Sequence, residues 1–197
     1  MLEWRIRGTR YRVSLLFPAL VTALLLCYPD GVAASCLLAS LVHEGGHLLK
    51  MLTEGVVPKE CVLGAFGMRI RLEDTLIGYR SNIRISLAGP MANGVAACVL
   101  LLCRCPMAAA THLVLAALNL LPVAALDGGE ILRCCLCLMG KEAAVGAVLR
   151  LSSALVLLPL ATISFWIFFN SGNPSLLVVG VYLATLLIFS SKNEKNS

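Results

Sequence analysis

Long uncharged runs constrain the fold of this chain more than any other feature of its sequence. The segments 13–29, 85–103 and 151–191 contain no Asp, Glu, Lys or Arg, and the last could form two membrane crossings separated by the turn residues 170–174. Only 14% of the residues are charged and 59% are hydrophobic, which argues against a soluble domain. Because a backbone in lipid must satisfy its own hydrogen bonds, the expected fold is an all-α polytopic membrane protein.

The hydropathy pattern predicts six transmembrane helices. They fall near 13–29, 32–53, 82–103, 107–139, 148–169 and 174–191. The fourth is unusually long, and we expect Pro122 and the pair Gly128-Gly129 to break it. Between the second and third spans, the segment 64–72 alternates apolar and charged residues after its glycines. This alternation predicts a short membrane-associated β-hairpin.

The basic residues indicate how the chain is oriented in the membrane. With six spans, every Lys and Arg except Arg104 belongs to one side. Because Lys and Arg concentrate in cytosolic loops, we expect a multi-pass protein of the cell membrane with both termini and the 54–81 loop in the cytosol. This topology accounts for the net charge of +5, so the lipid bilayer is an expected partner and nucleic acid is not.

The sequence His43-Glu44-Gly45-Gly46-His47 interrupts the apolar second span. Two histidines four residues apart project from one face of a helix, close enough to hold one metal ion. Glu44 beside them can take a proton from water. An unpartnered carboxylate in a bilayer costs about 2.5–3.5 kcal/mol or more. A catalytic metal site is therefore favoured over a purely structural role.

A second polar segment downstream supplies the expected third ligand, Asp127. In the predicted topology the second and fourth spans both run toward the cytosol, so Asp127 approaches the same half of the membrane as the His pair. Two His ligands and one carboxylate leave a fourth tetrahedral position open for water, as a catalytic zinc site requires. The predicted ligands of Zn²⁺ are His43, His47 and Asp127.

Three further polar residues have two interpretations each. Asn119 can donate a hydrogen bond to a developing oxyanion or fasten the broken fourth span. Asn93 is a candidate for oxyanion or substrate binding, although shaping the cavity beside Pro90 is favoured. His112, seven residues before Asn119, can lie near the site, but a structural hydrogen bond is favoured for it.

The sequence resembles the site-2 protease family of intramembrane zinc metalloproteases. Its matching residues are the H-E-x-x-H motif at 43–47, G-P-x-x-N at 89–93 and N-x-x-P-x-x-x-x-D-G at 119–128. The resemblance implies that His43, His47 and Asp127 bind zinc. It further implies that Glu44 activates water to cleave a peptide bond within or beside a transmembrane helix of a membrane-associated protein.

Within this family the chain is similar to the compact stage IV sporulation protein FB-like branch. That similarity implies a sigma-factor precursor as substrate and inhibitory membrane proteins as partners. We expect residues 1–197 to form a single protease core without a PDZ or CBS domain, since the segment 54–81 and the polar tail are short. The alternative function is a six-span metal carrier or transporter with the His/His/Asp set as its transit site, which leaves Glu44 without a role.

Overall fold

The computed structural model describes residues 2–6, 9–13, 31–56, 58–64, 67–72 and 77–171, which are mostly helical. The strands are β1 (Leu2–Ile6), β2 (Thr9–Val13), β3 (Pro58–Gly64) and β4 (Gly67–Leu72). The helices are α1 (Val32–Thr53), α2 (Tyr79–Leu102), α3 (Pro106–Asn119), α4 (Asp127–Leu138) and α5 (Val145–Ser171), the last preceded by a 3-10 turn at Glu142–Ala144. The chain forms two compact units that divide after Ala117.

Three helical segments are long and apolar enough to cross a membrane. They are Val32–Thr53, Tyr79–Leu102 and Glu142–Asn170. These segments correspond to the predicted second, third and fifth spans, and their length and apolar composition indicate a membrane protein. Of the predicted first span, 13–29, only Val13 is described, and the sixth span, 174–191, lies outside the described residues.

The predicted fourth span, 107–139, is two helices. α3 ends at Asn119 and α4 begins at Asp127, so the break includes Pro122, as expected for a residue without a backbone N–H. Gly128 and Gly129 do not break the helix. They lie in the first turn of α4, where added Cβ atoms would collide with the backbone at Leu120 and Val123. The glycines instead allow this turn to pack against the connecting loop.

The four strands form one sheet in the order β1-β2-β3-β4, a larger β component than the predicted hairpin. β1 and β2 are antiparallel, β2 and β3 are parallel, and β3 and β4 are antiparallel. A parallel pair requires a crossover connection, and the connection between β2 and β3 contains α1. β4 covers most of the segment 64–72; its association with the membrane remains a prediction.

Close packing between α1 and α2 depends on one glycine of the 43–47 segment. A Cβ added to Gly46 would lie 2.6 Å from the carbonyl oxygen of Ala88 and 2.8 Å from Cβ of Ala92, whereas one added to Gly45 would have no described atom within 4 Å. Gly46 therefore lets the two backbones approach each other, and the approach brings the His pair against α2.

An ion-paired cluster fastens the C-terminal end of α1 to the first turns of α2. Glu54 accepts hydrogen bonds from Arg84 Nε at 2.8 Å and Nη2 at 2.6 Å, and from Ser81 Oγ at 2.8 Å. Lys50 Nζ lies 2.9 Å from the same carboxylate. The hydrogen bonds from Arg84, and then those from Lys50 and Ser81, hold the pKa of Glu54 far below its ordinary value of 4.5. The carboxylate is therefore ionised throughout the physiological pH range.

Candidate metal centre

The two histidines of the H-E-x-x-H motif are buried on one face of α1. His43 is 5% exposed and His47 is 8% exposed, and their rings meet edge to face with centroids 4.8 Å apart. Their Nε2 atoms are 3.2 Å apart. Both rings therefore direct the same nitrogen toward a common point, which is the arrangement that two ligands of one metal ion require.

A backbone group of α2 determines which nitrogen of His47 can bind a metal. His47 Nδ1 lies 2.8 Å from the carbonyl oxygen of Ile85. A carbonyl only accepts hydrogen bonds, so Nδ1 carries the proton and donates it. In the neutral ring, Nε2 then keeps its lone pair. This tautomer and orientation are those of a typical metal-bound histidine, whose second nitrogen donates to a backbone carbonyl or carboxylate.

The absence of a side chain at Gly89 leaves space beside both Nε2 atoms. A Cβ at Gly89 would lie 2.9 Å from His43 Nε2 and still closer to His47 Nε2. A zinc ion binds histidine nitrogen at about 2.0–2.1 Å, so an ion and a methyl group would compete for this region. The glycine of the G-P-x-x-N motif thus keeps the space beside the two imidazoles free of side-chain atoms.

Asp127 lies in the first turn of α4 and is half-buried. The loop before it is held by two serines of α5. Ser152 Oγ donates to the carbonyl oxygen of Pro122 at 2.7 Å, and the backbone N–H of Ala124 donates to Ser153 Oγ at 3.0 Å. These bonds satisfy backbone groups that the helix break exposes, and they fix the loop that leads into Asp127.

Asp127, in the compact unit that begins at Leu118, is the third ligand that the sequence predicts beside the two histidines. Two imidazoles and one carboxylate suit Zn²⁺ and leave an open position, and the space at Gly89 fits an ion beside the imidazoles. Glu44 follows His43 directly and is half-buried. The individual roles of these four residues as ligands and base remain predictions from the sequence.

The two asparagines occupy different environments. Asn119 is the half-buried last residue of α3, and its role toward an oxyanion remains a prediction. Asn93 is 0% exposed, and its amide lies between two histidines. Asn93 Nδ2 is 3.3 Å from His43 Nδ1, and Asn93 Oδ1 is 3.0 Å from His112 Nδ1. The contact between His112 and Asn93 is not evident from the sequence, in which the available signal is a histidine within an apolar segment.

The fold is similar to that of a solved structure, a site-2 protease from Methanocaldococcus jannaschii, with a TM-score of 0.65. The similarity covers 92% of this chain and 91% of that chain, at 20% sequence identity. No protein-family model and no curated protein matches the sequence. The chain therefore has the fold of a site-2 protease.

Proposed function

We propose that this chain is a zinc-dependent intramembrane endopeptidase that cleaves a membrane-associated precursor within or near its transmembrane segment. The observation that carries the proposal is the buried pair of imidazoles of the H-E-x-x-H motif, whose Nε2 atoms lie 3.2 Å apart. The fold similarity to a site-2 protease supports it. So do the apolar helices, because they would place hydrolytic chemistry inside the bilayer, where the peptide bonds of a transmembrane substrate lie.

The proposed division of work follows from side-chain chemistry. His43, His47 and Asp127 would hold the zinc ion, which when bound lowers the pKa of water and stabilises negative charge on oxygen. Glu44 accepts a proton from the attacking water and later delivers it to the leaving amine nitrogen. Asn119 is a candidate donor to the oxyanion. Hydrogen bonding of the Asn93 amide to two histidines supports a positioning role for that residue over direct substrate binding.

Water must reach the metal centre, and the polar cluster around Glu54 lies close enough to it that the path through the apolar helices would be short. His47 precedes Lys50 by three residues, or about 4.5 Å of helix rise, and Lys50 belongs to the cluster. The site would then lie just below the cytosolic boundary of a six-span protein of the cell membrane with both termini in the cytosol.

A sporulation sigma-factor precursor is the narrower substrate proposed, with inhibitory membrane proteins as regulators.

Comparison of wild type with Glu44→Gln tests the proposed function. We would purify both in detergent, measure bound zinc and assay cleavage of a candidate single-span precursor, with Glu142→Gln, an exposed site, as the matched control. We expect zinc in all three proteins and cleavage by all but Glu44→Gln. Equal cleavage by Glu44→Gln would contradict the mechanism. Metal uptake into vesicles without any peptide hydrolysis would favour the carrier function.

A further inference from the structure

Three side chains from three helices form a buried hydrogen-bonded relay. His43 of α1, Asn93 of α2 and His112 of α3 are 5%, 0% and 2% exposed. Asn93 lies between the two rings, 3.3 Å from one Nδ1 and 3.0 Å from the other. All three belong to the compact unit that ends at Ala117. A buried donor or acceptor without a hydrogen-bond partner lowers the stability of the fold. Each of these bonds must therefore join one donor to one acceptor.

The direction of the bonds can be deduced from the carbonyl of Ile85. His47 Nδ1 must donate to that carbonyl, so in a neutral ring His47 Nε2 is an acceptor. His43 Nε2, 3.2 Å away, must then donate to it, which leaves His43 Nδ1 as an acceptor. Asn93 Nδ2 donates to that nitrogen, and Asn93 Oδ1 accepts from His112 Nδ1. Without a metal ion, every bond therefore runs in one direction, from His112 to Ile85.

A metal ion on His43 is incompatible with this direction. Coordination through Nε2 requires that nitrogen to be unprotonated, so in neutral His43 the proton must reside on Nδ1. Nδ1 would then face the Nδ2 donor of Asn93. The conflict disappears if the Asn93 amide turns over, because Oδ1 then accepts from His43 Nδ1 and Nδ2 donates to His112 Nδ1. His112 in turn carries its proton on Nε2.

We propose that Asn93 and His112 are positioning residues for His43, and that metal binding reverses the hydrogen-bond direction of the relay they form. Each proton moves between the two nitrogens of a single ring, so the relay neither gains nor loses a proton. Asparagine suits the central position because its side chain carries both a donor and an acceptor and can exchange them by rotation. The inference rests on the proposed metal centre and adds a residue, His112, that no motif of the sequence includes.

Substitutions at Asn93 test the positioning role through metal affinity rather than through activity. Asn93→Asp offers only acceptors, which favours the Nδ1–H tautomer of His43 that coordination needs. Asn93→Leu keeps the number and branching of the side-chain heavy atoms and offers neither donor nor acceptor. By competition with a chelator, we expect Asn93→Leu to bind zinc about 10–100-fold more weakly than wild type and Asn93→Asp to bind at least as well. Equal affinity of wild type and Asn93→Leu would overturn the positioning role.

A double-mutant cycle places His112 in the same relay. His112→Leu alone should weaken zinc binding, and adding it to Asn93→Leu should cost little more, because the bond it removes is already lost. Fully additive losses would mean that His112 acts independently of Asn93 and would overturn its assignment.

Direct observation of the tautomers needs no variant, because the chain contains only three histidines and all three belong to this network. Nitrogen NMR of the full chain labelled with ¹⁵N-histidine should show His112 as Nδ1–H and His43 as Nε2–H without metal. Zinc should exchange both tautomers and leave His47 as Nδ1–H. If His112 keeps Nδ1–H with zinc bound, the reversal is wrong. Failure of the wild type to bind zinc would instead overturn the proposed centre, with the metal-free tautomers still reporting on the relay.

Discussion

His47 donates the proton of Nδ1 to the backbone carbonyl of Ile85, 2.8 Å away on the neighbouring helix. The bond sets the tautomer of His47 and ties α1 to α2 at the depth of the candidate metal centre. Gly89 follows Ile85 by one helical turn on the same face, and it leaves space open beside the imidazoles. The geometry of the metal centre therefore depends on α2 as much as on the helix that carries the H-E-x-x-H motif.

Gly89→Ala should abolish stoichiometric zinc binding. The new methyl group would occupy the space beside His43 and His47 Nε2, where no real Cβ could fit without movement of the rings. The matched control is Gly94→Ala on the same helix, where an added Cβ meets no described atom within 4 Å. Elemental analysis of the purified proteins checks this. Full zinc occupancy in Gly89→Ala would show that the metal lies elsewhere.

The neighbouring glycines of the motif should differ in their effect on stability. Gly46→Ala forces apart backbones that approach closely at Ala88, and overpacking of this kind costs about 1–3 kcal/mol. Gly45→Ala adds a methyl group that meets no described atom within 4 Å, and it should be neutral or stabilising by up to about 1 kcal/mol, because alanine favours the helix. Thermal unfolding in detergent compares the two. A lower midpoint for Gly45→Ala than for Gly46→Ala would contradict the packing described.

The four-residue spacing of the H-E-x-x-H motif predicted that His43 and His47 share one helix face, and their Nε2 atoms lie 3.2 Å apart there. Spacing could not predict the relay. Asn93 lies 50 residues from His43 and 19 from His112, so their contact depends on how three helices pack. The helical period relates His112 to Asn119 on its own helix, whereas its hydrogen bond is to Asn93 on another helix.

The N-terminal strands show a different reason for a missed element. Leu2, Trp4 and Ile6 alternate with Glu3 and Arg5, which is the period of a β-strand. Arg5, Arg10 and Arg12 equally fit a basic cytosolic N-terminus, so the charges of this segment do not distinguish a strand from a topology signal. The parallel partner of β2 is β3, far along the chain, so local sequence could not have identified the sheet.

Acidification should weaken the bond between α1 and α2 at Glu54. The pKa of this carboxyl is held far below 4.5, first by the hydrogen bond from Arg84. The folded state thus favours the ionised form, and the resulting stabilisation is complete above the unfolded pKa and is lost as the pH falls through the folded pKa. The difference in unfolding midpoint between wild type and Glu54→Gln should be constant from neutral pH to about pH 5 and narrow below pH 4.5.

Arg84→Gln supplies the control for this pH dependence. Without the guanidinium, the largest cause of the lowered pKa is gone, so Glu54→Gln in that background should show much less narrowing. The same narrowing in both backgrounds would mean that another group is responsible.

Removal of the α5 hydroxyls should loosen the loop that precedes Asp127. Ser153→Ala leaves the N–H of Ala124 without this acceptor, and Ser152→Ala removes a donor to Pro122. Each loss should cost about 1–3 kcal/mol of stability. Thr162→Ala is the control, because this exposed hydroxyl donates to the carbonyl of Pro159 in its own helix; the variant should stay within about 0.5 kcal/mol of wild type. Equal unfolding midpoints for all three variants would contradict this account of the loop.

Proline substitutions along β4 test whether its outer edge pairs with an extended substrate. Among the described strands β4 has β3 as its one neighbour, and successive backbone N–H groups of a strand point to opposite edges. Proline at alternate positions from Met68 to Leu72 therefore removes either an N–H that β3 uses or an N–H that faces outward. Proline at the outward-facing N–H positions should reduce cleavage, while the unfolding midpoint and the bound zinc stay near wild type. Proline at the positions that pair with β3 should reduce cleavage and also lower the unfolding midpoint. Unchanged cleavage by all variants of the outward set would show that the substrate does not pair with the outer edge of β4. The sheet would then have a structural role only.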